Sequence, residues 1–268
     1  MFFHLQPQKA IINDINRPLI TFYLGVRDNY HALKAELKGL EKIYAQNRLK
    51  FEELKAHSPS EQVADENETV YYRLRDMYNG LVQSDFSMAA LYYFINKTAY
   101  SGMIRFNSKG EFNVPYGRYR NFNTDLITKE HQQLLSGTDI YNTDYSVVFN
   151  QASTDDFIFL DPPYDCVFSD YGNAEYADGF GEENHRRLAE EFRNLPCKSL
   201  MVIGGTSLTR ELYRGFIVAE YDKSYSVNIR NRFQAEAKHI IVTNYGNPKK
   251  QTCTKQNTLF CDFTEDAI

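Results

Sequence analysis

Tryptophan is absent from this chain and cysteine is scarce. The cysteines, Cys166, Cys197, Cys253 and Cys261, show no C-x-x-C spacing. That spacing excludes a zinc ribbon and a disulfide framework and points to reduced thiols in a cytoplasmic protein. The histidines show no metal-ligand spacing either, so no metal is expected. No apolar run approaches the roughly 20 residues a membrane helix needs. The start, Met1-Phe2-Phe3-His4-Leu5, is too short for a signal-peptide core. Net basic charge is missing too. A balance of −5 argues against a general positive coat as the means of holding nucleic acid, while leaving room for a local patch. There is no G-x-S-x-G nucleophile and no P-loop.

What is present is aromatic and apolar. The chain holds 20 tyrosines and 19 phenylalanines and is 43% hydrophobic, which excludes wholesale disorder. At 268 residues it can form one large domain, or a core with an insertion. Some of the rings are candidates for stacking on bases rather than for the core.

Periodicity divides the chain in two. Residues 9–14 predict a strand, and a helix follows from about residue 18, where Pro18 suits a first turn. Residues 29–57, rich in Lys, Glu, Leu and Ala, predict a long amphipathic helix. Residues 58–68 read as a loop, with helical segments at 71–79 and 85–100. Gly102, Gly110, Pro115 and Gly117 then predict loops and a hairpin. From about residue 139 the pattern changes. Strands are predicted at 146–149, 156–160, 198–203, 216–220 and 239–243. Helices are predicted at 182–194 and 208–214, with a loop over 165–178. Such alternation predicts an α/β fold with a mainly parallel sheet, interrupted by a helical block at about 28–140. The tail after Tyr245 is polar and carries no pattern.

Asp161-Pro162-Pro163-Tyr164 is the strongest single signal. It follows the apolar run Phe157-Ile158-Phe159-Leu160, so it sits at a strand's C-terminal end, where open α/β sheets place ligands. Two prolines stiffen the backbone and leave its carbonyls free to accept. Asp161 is a further acceptor, and Tyr164 a flat face for stacking. A planar ring bearing an amino group suits that set, although Pro-Pro also marks ordinary turns. Asp14, at the end of the first strand, reads either as a ribose-binding acid or as a plain helix-cap or loop acid. Residues 96–120 carry five Lys or Arg and one acid, a balance of +4, interleaved with Tyr, Phe and Asn. Such a segment reads as a nucleic-acid contact or as a solvated loop. His185, Arg186 and Arg187 are expected at the surface of their helix.

These residues together resemble the Dam-like DNA adenine-N6 methyltransferases. The resemblance covers residues 1–245. It rests on Ile12-Asn13-Asp14, Tyr72-Arg73-Leu74-Arg75 with Tyr78-Asn79, Glu111-Phe112-Asn113-Val114-Pro115-Tyr116-Gly117-Arg118-Tyr119, Asp161-Pro162-Pro163-Tyr164, and Ile241-Val242-Thr243-Asn244-Tyr245. It implies a Rossmann-like methyltransferase sheet, with residues 1–27 and 141–246 as a discontinuous catalytic core. Residues 28–140 would be a helical target-recognition insertion and 247–268 a polar tail. It implies S-adenosyl-L-methionine as cofactor, double-stranded DNA as partner and a restriction–modification setting. Asp161, Pro162, Pro163 and Tyr164 would be catalytic. Asp14, Asp144, Tyr145 and Asp161 would bind the cofactor, and Lys97, Arg105, Asn107, Lys109, Asn113, Pro115 and Arg118 would bind DNA. Family members also begin with a Lys-containing segment and a Phe-x-Gly-x-Gly type loop, which these residues lack, so a stretch of about thirty to fifty residues is expected to be missing. The alternative to an active enzyme is a non-catalytic DNA-binding remnant, or one part of a split methyltransferase.

Overall fold

The computed structural model describes residues 1–58, 62–164, 180–222 and 238–246. The expected loop at 165–178 and the tail at 247–268 lie outside the described residues. The chain is α/β and forms two compact units, to which the described residues contribute Met1–Gln151 in the first and those from Ala152 onward in the second.

In the first unit a short turn of helix α1 (Phe2–Leu5) leads to β1 (Ala10–Asn13). The helices α2 (Arg17–Asp28), α3 (Tyr30–His57), α4 (Glu66–Tyr78), α5 (Met88–Thr98) and α6 (Lys129–Ser136) follow, then β2 (Thr138–Tyr141) and α7 (Ser146–Phe149). β1 and β2 pair in parallel, Ala10 opposite Thr138 through Asn13 opposite Tyr141. The helices α2 to α6 are therefore an excursion between two paired strands. Their starts are set by short polar side chains. Asn16 accepts from the Leu19 N–H at 3.1 Å, Asp65 from Asn67 at 3.0 Å and Ser87 from Ala90 at 3.2 Å. Each such cap contributes about 1 kcal/mol.

The helices pack because their apolar residues recur every three or four positions. Leu33, Leu37, Leu40 and Tyr44 form the inner stripe of α3, and Tyr71, Leu74 and Met77 that of α4. α5 is buried almost all round, as its run Ala89-Ala90-Leu91 and Tyr93-Phe94-Ile95 requires of a central helix. α2 crosses it closely at Gly25, where a Cβ would stand 2.6 Å from the Ala89 Cβ.

The second unit contains β3 (Phe157–Leu160), α8 (Glu182–Arg193), β4 (Lys198–Gly204), α9 (Ser207–Leu212), β5 (Ile217–Asp222) and β6 (Lys238–Thr243). Its sheet has the order β3-β4-β6-β5. β3 and β4 run parallel, whereas β6 is antiparallel to both β4 and β5.

Several expectations change. The mainly parallel sheet is mixed: β3, β4 and β5 run the same way, and β6, inserted between β4 and β5, runs antiparallel to both. Among the described residues the strands form two hydrogen-bonded sheets, one in each unit. Residues 146–149 are a helical turn instead of a strand. The Asp144 side chain accepts from the Ser146 N–H at 3.0 Å and the Tyr145 carbonyl from Phe149 at 3.1 Å, so local bonds curl the Val147-Val148 pair. The strand of this region is β2, five residues earlier. His185 is buried, because it shares the inner stripe of α8 with Leu188, Ala189 and Phe192; Arg186 and Arg187 project outward. Cys197 is a buried free thiol, and the other three cysteines lie outside the described residues.

Candidate functional site

Asp161-Pro162-Pro163-Tyr164 leaves the C-terminal end of β3 directly after Leu160. Asp161 is exposed, and the next three residues are half-buried. Because β3 and β4 are parallel and in register, the end of β4 lies at the same edge of the sheet. That end is Gly204, which pairs with His239 on β6, and His239 in turn pairs with Tyr221 on β5. The side chains follow the same row. The Tyr164 ring meets His239 edge-on, with centroids 5.0 Å apart, and His239 lies against Tyr221 at 5.4 Å. Tyr164 thus reaches across β4 and packs against position 204 at ordinary contact distance. A Cβ there would stand 3.7 Å from the Tyr164 Cβ.

The Tyr164 hydroxyl donates to Asp161 Oδ1 at 3.4 Å, a long contact. Partial burial, helped by the negative charge of Asp161, pushes the Tyr221 hydroxyl above its ordinary pKa. The corner is therefore an acceptor set beside an aromatic wall. Sequence reasoning picked out the tetrapeptide and missed His239, Gly204 and Tyr221. The signal for Gly204 was its place in a Gly-Gly pair at the end of an apolar strand.

In the first unit, Asp14 and Asp144 follow the C-terminal ends of β1 and β2, which are neighbours. Polar side chains lace the two ends together. Asn142 Nδ2 donates to the carbonyls of Asp14 and Ile15 at 2.8 and 2.9 Å, and Asn13 Nδ2 to that of Thr143 at 3.0 Å. Asp14 Oδ1 accepts from the Asn16 N–H at 2.7 Å. Burial nevertheless holds the Asp14 carboxyl above its ordinary pKa, the Asn16 bond opposing. Tyr145 packs edge-on against Phe149 at 5.0 Å. So both strand ends carry a half-buried acid, and the second adds an aromatic ring.

Residues 105–119 form a two-armed loop rather than a regular hairpin, with isolated antiparallel bridges at Phe106–Phe112 and Ala99–Tyr116. Phe112, Val114 and Tyr116 are buried, Asn113 is half-buried and Pro115 exposed, as an extended strand on an apolar floor requires. Of the predicted DNA contacts, Lys109, Pro115 and Arg118 are exposed. Arg118 holds a left-handed φ of 55° and pairs with Glu68 at 2.8 Å. Arg105 donates to Asn113 Oδ1 at 2.8 Å. Asn107 spans the loop tip, accepting from Lys109 and Glu111 N–H at 2.9 and 3.0 Å and donating to the Glu111 carboxylate. Lys109 is exposed at that tip, and Lys97 lies 5.9 Å from the Tyr93 ring centroid.

A strand-end acceptor corner, a second pair of strand-end acids and an aromatic, locally basic loop form a recognisable set. The family model for D12 class N6 adenine-specific DNA methyltransferases matches residues 1–227. The chain belongs to that family and is a DNA adenine methyltransferase. It is similar to the type II methyltransferase M.CviBI of Paramecium bursaria Chlorella virus NC1A, 31% identical over 251 residues, covering 91% of this chain and 85% of that one. It is similar to the type II methyltransferase M1.LlaDCHI of Lactococcus lactis subsp. cremoris, 30% identical over 259 residues, covering 92% and 83%. The DNA adenine methylase of Salmonella typhi is 29% identical over 220 residues, covering 80% and 71%.

Proposed function

We propose that this enzyme transfers a methyl group from S-adenosyl-L-methionine to N6 of an adenine flipped out of duplex DNA. The observation that carries the reading is Asp161-Pro162-Pro163-Tyr164 at the end of β3, with the Tyr164 ring braced by His239. An adenine N6 lies inside the base stack, so the base leaves the duplex before it is reached. The Asp161 carboxylate and the Pro162 carbonyl accept from its NH₂ and turn the nitrogen lone pair toward the incoming methyl. Pro163 keeps the corner stiff, and Tyr164 stacks on the ring face. Rate then comes mainly from alignment.

The strand-end acids fit a nucleoside cofactor. Asp14 is half-buried yet anchored through one oxygen only among the described residues, and a carboxylate there suits ribose hydroxyls. Asp144 and Tyr145 suit the cofactor's adenine, and Asp161 serves the cofactor side as well as the target base. When bound, S-adenosyl-L-methionine supplies the methyl group on a sulfonium centre.

Residues 1–27 and 141–246 are assigned as the Rossmann-like catalytic part and 28–140 as the target-recognition part. Asn113, Pro115 and Arg118 are its base-reading face, with Lys97, Arg105, Asn107 and Lys109 supporting contacts to the backbone of DNA. The type II methyltransferases among the relatives support a cognate restriction endonuclease system as partner. The test is Asp161→Ala, with N6-methyladenine in treated plasmid DNA measured by mass spectrometry. Methylation is expected to vanish, and an unchanged yield overturns the assigned role.

A further inference from the structure

The reading loop is hung from helices by side chains, and these side chains are not among the residues that reading itself requires. Asn79, at the C-terminal cap of α4, pairs with Phe112 as a neighbouring strand would. Its Oδ1 accepts from the Phe112 N–H at 2.8 Å, and its Nδ2 donates to the Phe112 carbonyl at 3.0 Å. Two residues on, the Tyr71 hydroxyl of α4 donates to the Val114 carbonyl at 2.9 Å. Farther along, the Tyr44 hydroxyl of α3 lies 2.7 Å from both the Tyr116 hydroxyl and the Tyr119 carbonyl. The opposite edge is held by main chain: Asn113 N–H to Arg105, Tyr100 N–H to Pro115 and Gly117 N–H to Thr98, at 3.0, 2.9 and 2.8 Å. Burial pushes the Tyr44 and Tyr71 hydroxyls above their ordinary pKa, so both stay protonated donors across the working pH range.

The spacing of these bonds matters. They fall at 112, 114, 116 and 119, so they fix which residues of the strand point down and how far the others stand above the helices. A one-residue slip would turn the buried Phe112-Val114-Tyr116 set outward.

We propose that Asn79, Tyr71 and Tyr44 are positioning residues for sequence selection: they hold the register and height of residues 112–119, and so decide which DNA sites Asn113, Pro115 and Arg118 accept. This rests on the reading that the loop contacts bases. None of the three is a catalytic residue, and their effect falls on selectivity rather than on methyl transfer.

The decisive variants are Tyr71→Phe and Tyr44→Phe, singly and together, which keep the ring and remove only the donor. Plasmid methylation mapped by sequencing gives the spectrum of adenine contexts. Kinetics on duplexes give kcat/KM for the preferred site against sites changed at one base. The double variant is expected to lose about tenfold of that ratio, the order of one mismatch's worth, with KM for S-adenosyl-L-methionine unchanged. An unchanged ratio, whatever happens to the overall rate, overturns the proposal. Asn113→Ala and Arg118→Ala separate the two layers. If they shift the ratio and the tyrosine variants do not, positioning fails and DNA reading stands. If neither set shifts it, both fail. Thermal melts of each variant confirm the fold, so loss of structure is not read as loss of selectivity.

Discussion

The loop at 105–119 and the corner at 161–164 are both stiff, by opposite means. The loop at 105–119 is ordinary backbone pinned from outside. Side chains of α3 and α4 hold one edge, main chain holds the other, and alternate residues are sunk in the helical core. The corner at 161–164 carries its stiffness in its covalent structure, through two consecutive prolines, and adds one aromatic brace at Tyr164. A surface that must distinguish bases tolerates replacement of its outward side chains, so its frame has to come from elsewhere. On the function proposed above, a corner that always holds the same amino group can build the frame into its own residues.

Three substitutions test that contrast, in order of expected size. Asp161→Ala removes the exposed acceptor and is expected to lower single-turnover methyl transfer about 10³-fold, the loss typical of one preorganised polar group. The melting temperature should stay put, since Asp161 is exposed. Pro163→Ala frees one φ angle and is expected to cost about ten- to a hundredfold in kcat through misalignment, with a stability loss of only about 0.4–1 kcal/mol from the freer unfolded chain. An unaltered kcat would show that the corner's stiffness comes from its surroundings after all. Asn79→Ala is the reverse case. It strips both backbone partners from Phe112 and is expected to lower unfolding free energy by about 1–3 kcal/mol, read by urea titration.

The smallest effect concerns Asp14. Burial raises its folded pKa above the unfolded value, so the charged form is the disfavoured one in the fold. The stability linked to this group is fully present below the unfolded pKa and is lost as pH rises through the folded one. Asp14→Asn, which retains an acceptor for the Asn16 N–H, is therefore expected to melt slightly higher than the parent at pH 8. That gap should narrow as pH falls toward 4. An equal gap at both ends would sink the burial argument.

Helices α2, α3 and α8, strands β1, β3 and β4, and the tetrapeptide were legible because local signals agreed. Pro18, the Leu stripe of α3, and the apolar run before Asp161 each point to one element. Residues 146–149 were misread because Val147-Val148 favours a strand, while the Asp144 cap that bends it depends on one side chain's geometry. β2 was missed because a partner 128 residues away supplies its pairing, and a four-residue strand has little pattern of its own. At the sites, residue types that do chemistry were visible, whereas those that hold them were not. Tyr71 and His239 look like core residues until their neighbours are known, and Asn79 stood out only as part of the family resemblance.

The strand-like amide of Asn79 has a consequence for how such an enzyme changes its target. It docks the loop through the backbone of Phe112, which is the same whatever side chains follow. Positions 113, 115 and 118 therefore behave as a cassette on a fixed chassis. A library randomised at those three positions should yield folded proteins at high frequency, and new methylation sites can be selected from it without redesigning the helices beneath.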